Sequence, residues 1–123
     1  RAGSEWALEE AKRNLVQHYL VVGITEDFES FLSVLEVVLP RFYRGATALL
    51  EKGRKTHLRK TSQKLPPLPQ TVKKVKESNS YRLERKFYDF AVDQFRIIKN
   101  EILNDRLREG EKFSFTKITP QTV

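Results

Sequence analysis

The chain has 123 residues, 39% of them hydrophobic and 32% charged, with no cysteine and a net charge of +7. That length makes about one domain, and eight Phe can furnish a core. The lack of cysteine excludes disulfides, zinc fingers and thiol catalysis within these residues, and no leader or apolar run of about 18 residues spans a membrane or directs export.

The first residue is Arg1 and a helix is under way by Glu5, which leads us to expect a piece of a longer protein. Ser4 is the predicted N-cap, with Glu5 placed where the helix dipole favours an acid. Leu8, Ala11 and Leu15 recur at helical spacing, so residues 5–18 read as an amphipathic helix. His18 in its last turn reads as a packing or dipole residue. Tyr19-Leu20-Val21-Val22, closed by Gly23, reads as a buried strand of a parallel sheet. Thr25 is then expected to cap a second helix whose first turn carries Glu26, Asp27 and Glu29. Phe28, Phe31, Leu32, Leu35, Val38 and Leu39 form its core stripe, ended by Pro40, so that truncating Phe28 should cost about 3–5 kcal/mol.

A helix is expected from about Gly45, stopped by Gly53. The Gly53–Lys64 stretch follows, and then Leu65-Pro66-Pro67-Leu68-Pro69, which reads as a rigid extended spacer ahead of a PxxP ligand. Residues 70–77 make a short helical segment, broken at Ser78-Asn79-Ser80. The longest helix is predicted from Tyr81 to Leu107, burying Leu83, Phe87, Phe90, Ala91, Gln94, Phe95, Ile98 and Ile102. Its Asp89 and Asp93 form an unhelpful like-charge pair. Alternation in Phe113–Ile118 predicts a terminal strand, halted by Pro120. Most residues are therefore expected to be helical.

The chemistry concentrates in Gly53–Lys64. Between Lys52 and Lys76 there are nine Lys and Arg and no acid, so everything outside that window sums to −2. Arg54, Lys55, Arg59, Lys60 and Lys64 surround the hydroxyls of Thr56, Thr61 and Ser62. Cations neutralise an anion, while hydroxyls and backbone N–H groups supply directional hydrogen bonds, a combination suited to phosphate, sulfate or a polyanion. A solvated charged loop is the plainer reading. No phosphate loop of the GxxxxGK type and no metal-spaced cluster appears, and His57 reads as loop structure ahead of catalyst. Two functions stay open from residues alone. One is a non-catalytic basic domain that binds a polyanion, either a heparin-like glycan or nucleic acid. The other is part of a nucleotide-dependent group-transfer enzyme. The absence of aromatics among these cations weighs against a reader of single-stranded nucleic acid.

Leu39-Pro40-Arg41-Phe42-Tyr43-Arg44-Gly45-Ala46-Thr47, followed by Thr56-His57-Leu58-Arg59-Lys60-Thr61, closely resembles the C-terminal part of heparan sulfate 2-O-sulfotransferases. Val22-Gly23-Ile24-Thr25-Glu26, Phe87-Tyr88-Asp89-Phe90-Ala91 and Phe115-Thr116-Lys117-Ile118 fit the same family, and the resemblance covers essentially the whole chain. The related uronyl 2-O-sulfotransferases lack the His-Leu-Arg-Lys-Thr run, whereas an insect pipe-type relative with another glycan acceptor stays open.

The resemblance implies transfer of a sulfuryl group from 3′-phosphoadenosine 5′-phosphosulfate to the 2-hydroxyl of a hexuronic acid in heparan sulfate, with no metal and no nucleic acid. It places Thr56, Thr61, Lys64 and Leu50 at the donor nucleotide. Leu50 stands where family members carry an aromatic, and the family loop has one more residue around Lys64. Arg59, Lys60 and Lys117 fall where the family binds the acidic sugar chain. The catalytic base and the 5′-phosphosulfate loop belong to the family's N-terminal part, so no catalytic residue is expected in this chain. The implied fold is α/β, with residues 1–123 the mostly helical C-terminal part of a P-loop-type sulfotransferase domain built on a central parallel sheet. A homotrimer joined through the C-terminal tail, and a lumenal position on a type II anchor in the Golgi membrane, are further implications.

Overall fold

In a computed structural model of the chain, residues 3–53 and 63–109 are described, with side chains as far as residue 104. All regular structure among them is helical: α1 (Glu5–His18), a 3₁₀ turn (Thr25–Asp27), α2 (Phe28–Val38), α3 (Pro40–Tyr43), α4 (Ala46–Gly53), α5 (Pro69–Lys76) and α6 (Asn79–Glu109). The predicted strand over Phe113–Ile118 lies outside the described residues.

The 31-residue α6 is the spine. Ser78 starts it, its Oγ accepting from the Tyr81 N–H at 3.2 Å and its carbonyl from the Arg82 N–H at 3.1 Å. The helix therefore begins two residues before Tyr81. Its apolar stripe is the one the periodicity predicts. Leu83, Ala91, Gln94, Phe95, Ile98 and Ile102 are buried, and Phe87 and Phe90 are half-buried. Asp89 and Asp93 each find an arginine on the same helix, Arg85 at 3.3 Å and Arg96 at 3.2 Å, which offsets the like-charge pair.

Two helices pack on that stripe, α1 through Leu15 and Val16 and α2 through Val34 and Val38. Val34 and Ile102 are completely enclosed where they meet. Ser4 caps α1 as expected, its Oγ accepting from the Ala7 N–H at 3.1 Å. An ion pair between Arg82 and Glu5, at 2.7 Å, fastens the first turn of α1 to α6.

Three local expectations need correcting. Residues 19–22 form no strand. Their flanks are extended, Tyr19 at φ −106° and ψ 136° and Ile24 at φ −114° and ψ 131°. A strand needs a neighbour for its hydrogen-bond ladder, and the described residues offer none. Tyr19 is instead exposed, while Val21 and Val22 lean on the core. Thr25 opens the 3₁₀ turn and does not cap α2, whose N-cap is Asp27 without a side-chain cap bond. The helix thus starts at Phe28, and this residue is 47% exposed; the fully buried part of the stripe begins at Val34. Pro40 both ends α2 and opens α3, at a first-turn position where its missing N–H costs nothing.

Gly23 has a packing role beyond closing the apolar run. It crosses the Phe31 ring so closely that a Cβ there would stand 2.3 Å from a ring carbon, and Phe31 in turn meets Phe95 edge-on with centroids 6.2 Å apart.

Candidate functional site

The basic stretch is presented between α4 and α5. Gly45, at φ +85°, turns the chain from α3 into α4, a backbone conformation that suits glycine. Glycine brings no side chain to cap the new helix, and α2 supplies the acceptor. The Thr47 N–H donates to Glu36 Oε1 at 2.7 Å across eleven residues of sequence. Helix α4 packs against α2 and ends at Gly53, where the basic run begins. Lys52 in its last turn sits at the negative end of the helix dipole.

The chain is described again from Gln63. Residues 63–68 carry no regular structure, and Leu68 has the extended φ −62° and ψ 138° of polyproline geometry. Leu65 and Leu68 are exposed, so the segment behaves as the predicted spacer rather than as core. Pro69 is the first residue of α5, which packs on α6 and gathers Lys73, Lys74 and Lys76 in its last turn.

The described cations fall into two sets. Those on α1 and α6 are engaged: Lys12 with Glu9, Arg13 with Glu10, Arg82 and Lys86 with Glu5, Arg85 with Asp89, Arg96 with Asp93 and Lys99 with Asp27. Arg41, Arg44, Lys52 and Lys64, which flank the basic run, are exposed and enter none of the described ion pairs. Exposed positive charge outside the described ion pairs thus stands before and after residues 54–62 in sequence, available to an anionic ligand.

Of the residues assigned from sequence, Lys64 is exposed at the head of the spacer and Leu50 is half-buried on α4. Thr56, Arg59, Lys60, Thr61 and Lys117 lie outside the described residues. Sequence reasoning did not single out Glu36. Its signal was a lone acid inside the apolar run Val34-Leu35-Glu36-Val37-Val38, on the helix just before a Gly-initiated one.

Two further contacts anchor the 3₁₀ turn to α6. Tyr88 Oη donates to Glu26 Oε2 at 2.8 Å, and Lys99 Nζ donates to Asp27 Oδ2 at 3.1 Å and Ser30 Oγ at 3.4 Å. The Glu26 carboxyl is held below its ordinary range by its own backbone N–H and then by the Tyr88 hydroxyl. The Ser30 hydroxyl, followed by Lys99, lowers that of Asp27. Hydrogen bonding to Glu26 raises the Tyr88 phenol. Among the described residues no group of three or more His, Asp or Glu gathers as a metal site, and no helix is long and apolar enough to cross a membrane.

No family model matches the chain. Individual relatives do. Heparan sulfate 2-O-sulfotransferase 1 of Gallus gallus is 42% identical over 124 residues, and that of Homo sapiens 41% identical; each alignment covers 98% of this chain. A heparin sulfate O-sulfotransferase of Drosophila melanogaster is 40% identical over 119 residues, covering 97% of it. The chain spans about a third of the length of these relatives, 35% of the first two and 34% of the third.

Proposed function

We infer that this chain, homologous along nearly its whole length to a third of the heparan sulfate 2-O-sulfotransferases, is the C-terminal part of an enzyme that sulfates an acidic glycan. The observation that carries the reading is the 41–42% identity over 98% of the chain, which takes in the basic stretch and both elements that flank it. The donor is 3′-phosphoadenosine 5′-phosphosulfate and the acceptor the 2-hydroxyl of a hexuronic acid in heparan sulfate. In the reaction the acceptor oxygen bonds to sulfur as the bond from sulfur to the phosphate oxygen breaks. The hydroxyl proton passes to a base, and adenosine 3′,5′-bisphosphate departs.

Within that scheme Thr56 and Thr61 donate hydrogen bonds to the nucleotide, Lys64 neutralises its phosphate, and Leu50 borders it from α4. Arg59, Lys60 and Lys117 pair with carboxylates and sulfates of the sugar chain. The exposed, unpaired state of Lys64 fits this role, as do the free cations on either side. The base and the 5′-phosphosulfate loop are assigned to the other part of a single α/β domain with a central parallel sheet. In that domain the Tyr19–Ile24 segment would find its strand neighbour. A trimer held through the C-terminal tail and a Golgi lumenal position belong to the same reading.

The test is calorimetric binding of adenosine 3′,5′-bisphosphate and of heparan sulfate to the full-length protein. Thr61→Ala and Lys64→Ala should each weaken the nucleotide about tenfold and leave the glycan within twofold, and Arg59→Ala should do the reverse. Glycan binding with no nucleotide binding by the unsubstituted protein would favour the non-catalytic polyanion-binding domain.

A further inference from the structure

We propose that Glu36 is a positioning residue for Leu50: from α2 it fixes the start of α4, and α4 in turn sets where Leu50 stands. Four observations converge on it. The bond from the Thr47 N–H to Glu36 Oε1 is short, 2.7 Å, and spans two different helices. The residue before α4 is Gly45, at φ +85°, which has no side chain to accept a first-turn N–H. Thr47 adds no bond of its own there, its Oγ1 being buried without a hydrogen-bond partner. And α4 has only eight residues, none of them fully buried, so packing alone holds it weakly.

An isolated helix of two turns is marginal in water, and its first-turn N–H groups are unsatisfied unless something accepts them. A carboxylate there satisfies a donor and complements the positive end of the helix dipole. Glu36 stands on α2, whose neighbours Val34, Leu35 and Val38 are locked in the core, so its anchor is rigid. The rigidity of the three-helix core is thereby passed to α4 and to Leu50 on it. The ligand named in the test rests on the sulfotransfer reading; the capping geometry does not.

Two conservative variants of the full-length protein separate reach from charge. Glu36→Gln keeps the length and an accepting oxygen but loses the charge. Glu36→Asp keeps the charge but is one methylene too short. Deuterium exchange of the α4 amides and calorimetric affinity for adenosine 3′,5′-bisphosphate are measured for each. Glu36→Asp should speed α4 exchange and weaken the nucleotide, each about fivefold to tenfold, while Glu36→Gln stays within about threefold of the unsubstituted protein on both. Faster α4 exchange in the Asp variant with unchanged nucleotide affinity would reduce Glu36 to a fold contact and overturn the proposal. So would a Gln variant as impaired as the Asp one. An unsubstituted protein that binds no nucleotide would instead overturn the sulfotransfer reading.

Discussion

Ile102 and Phe28 illustrate how far burial departs from hydrophobicity at single positions. Both lie on periodic apolar stripes, yet Ile102 is fully enclosed between α6 and its neighbours while Phe28 is 47% exposed at the entry of α2. Removing a buried side chain loses its transfer energy and leaves a cavity, whereas an exposed ring loses only the part of its surface that was covered. Ile102→Ala should therefore cost about 2–5 kcal/mol in denaturant unfolding, and Phe28→Ala less than half as much. Equal losses would mean that Phe28 is covered by something other than the described residues. The apolar stripe of α2 was legible in the sequence, but the fraction of each residue removed from water was not. That fraction depends on where α6 lies, and a single helix's spacing does not encode its partner's position.

At the scale of elements, the 3₁₀ turn and the head of α2 are tied to α6 by polar contacts as well as by packing. The pairs are Tyr88–Glu26 and Lys99–Asp27. Both carboxyls titrate lower in the folded chain than unfolded. The folded state then binds fewer protons, so stability from these groups is present above the ordinary carboxylate value of about 4 and lost as pH falls through the lowered one. Replacing Lys99 by Met should flatten the acid limb of the stability–pH curve, read by thermal unfolding at a series of pH values below about 5. An unchanged limb would show that the Ser30 hydroxyl alone sets the Asp27 shift. The helical elements were legible because caps and periodicity are local: Ser4 before α1, Pro69 at the head of α5, the stripe of α6. The run at Tyr19–Val22 has strand composition, but among the described residues it has no strand partner and bends at Leu20. Pairing is a property of two segments, so one segment's sequence cannot supply it.

For the molecule as a whole, the described architecture is a three-helix core of α1, α2 and α6 that carries a basic excursion between α4 and α5. The charge of that stretch was legible directly, since no acid lies among the nine cations from Lys52 to Lys76. Its isolation was not. Only the structure shows that the described cations of α1 and α6 are engaged with Glu and Asp on their own or neighbouring helices, whereas Arg41, Arg44, Lys52 and Lys64 enter none of the described ion pairs. The purpose of that charge came from neither source. Cations and hydroxyls in one stretch suit any oxyanion, and likeness to heparan sulfate 2-O-sulfotransferases is what points to a sulfotransferase.

Because α4 is fastened to α2 and α5 to α6, the chain that joins them is held at both ends by the helical core. Loop-closure entropy grows only with the logarithm of length, so four more residues would cost about 0.2 kcal/mol. Inserting Gly-Ser-Gly-Ser after Gln63 should accordingly leave the unfolding midpoint nearly unchanged while shifting nucleotide affinity, because Thr61 and Lys64 would then sit at different distances from a fixed support. A large fall in the midpoint would show that the loop is part of the core. Two independent attachments let the length of chain between α4 and α5 vary by insertion or deletion with the helical core indifferent to the change.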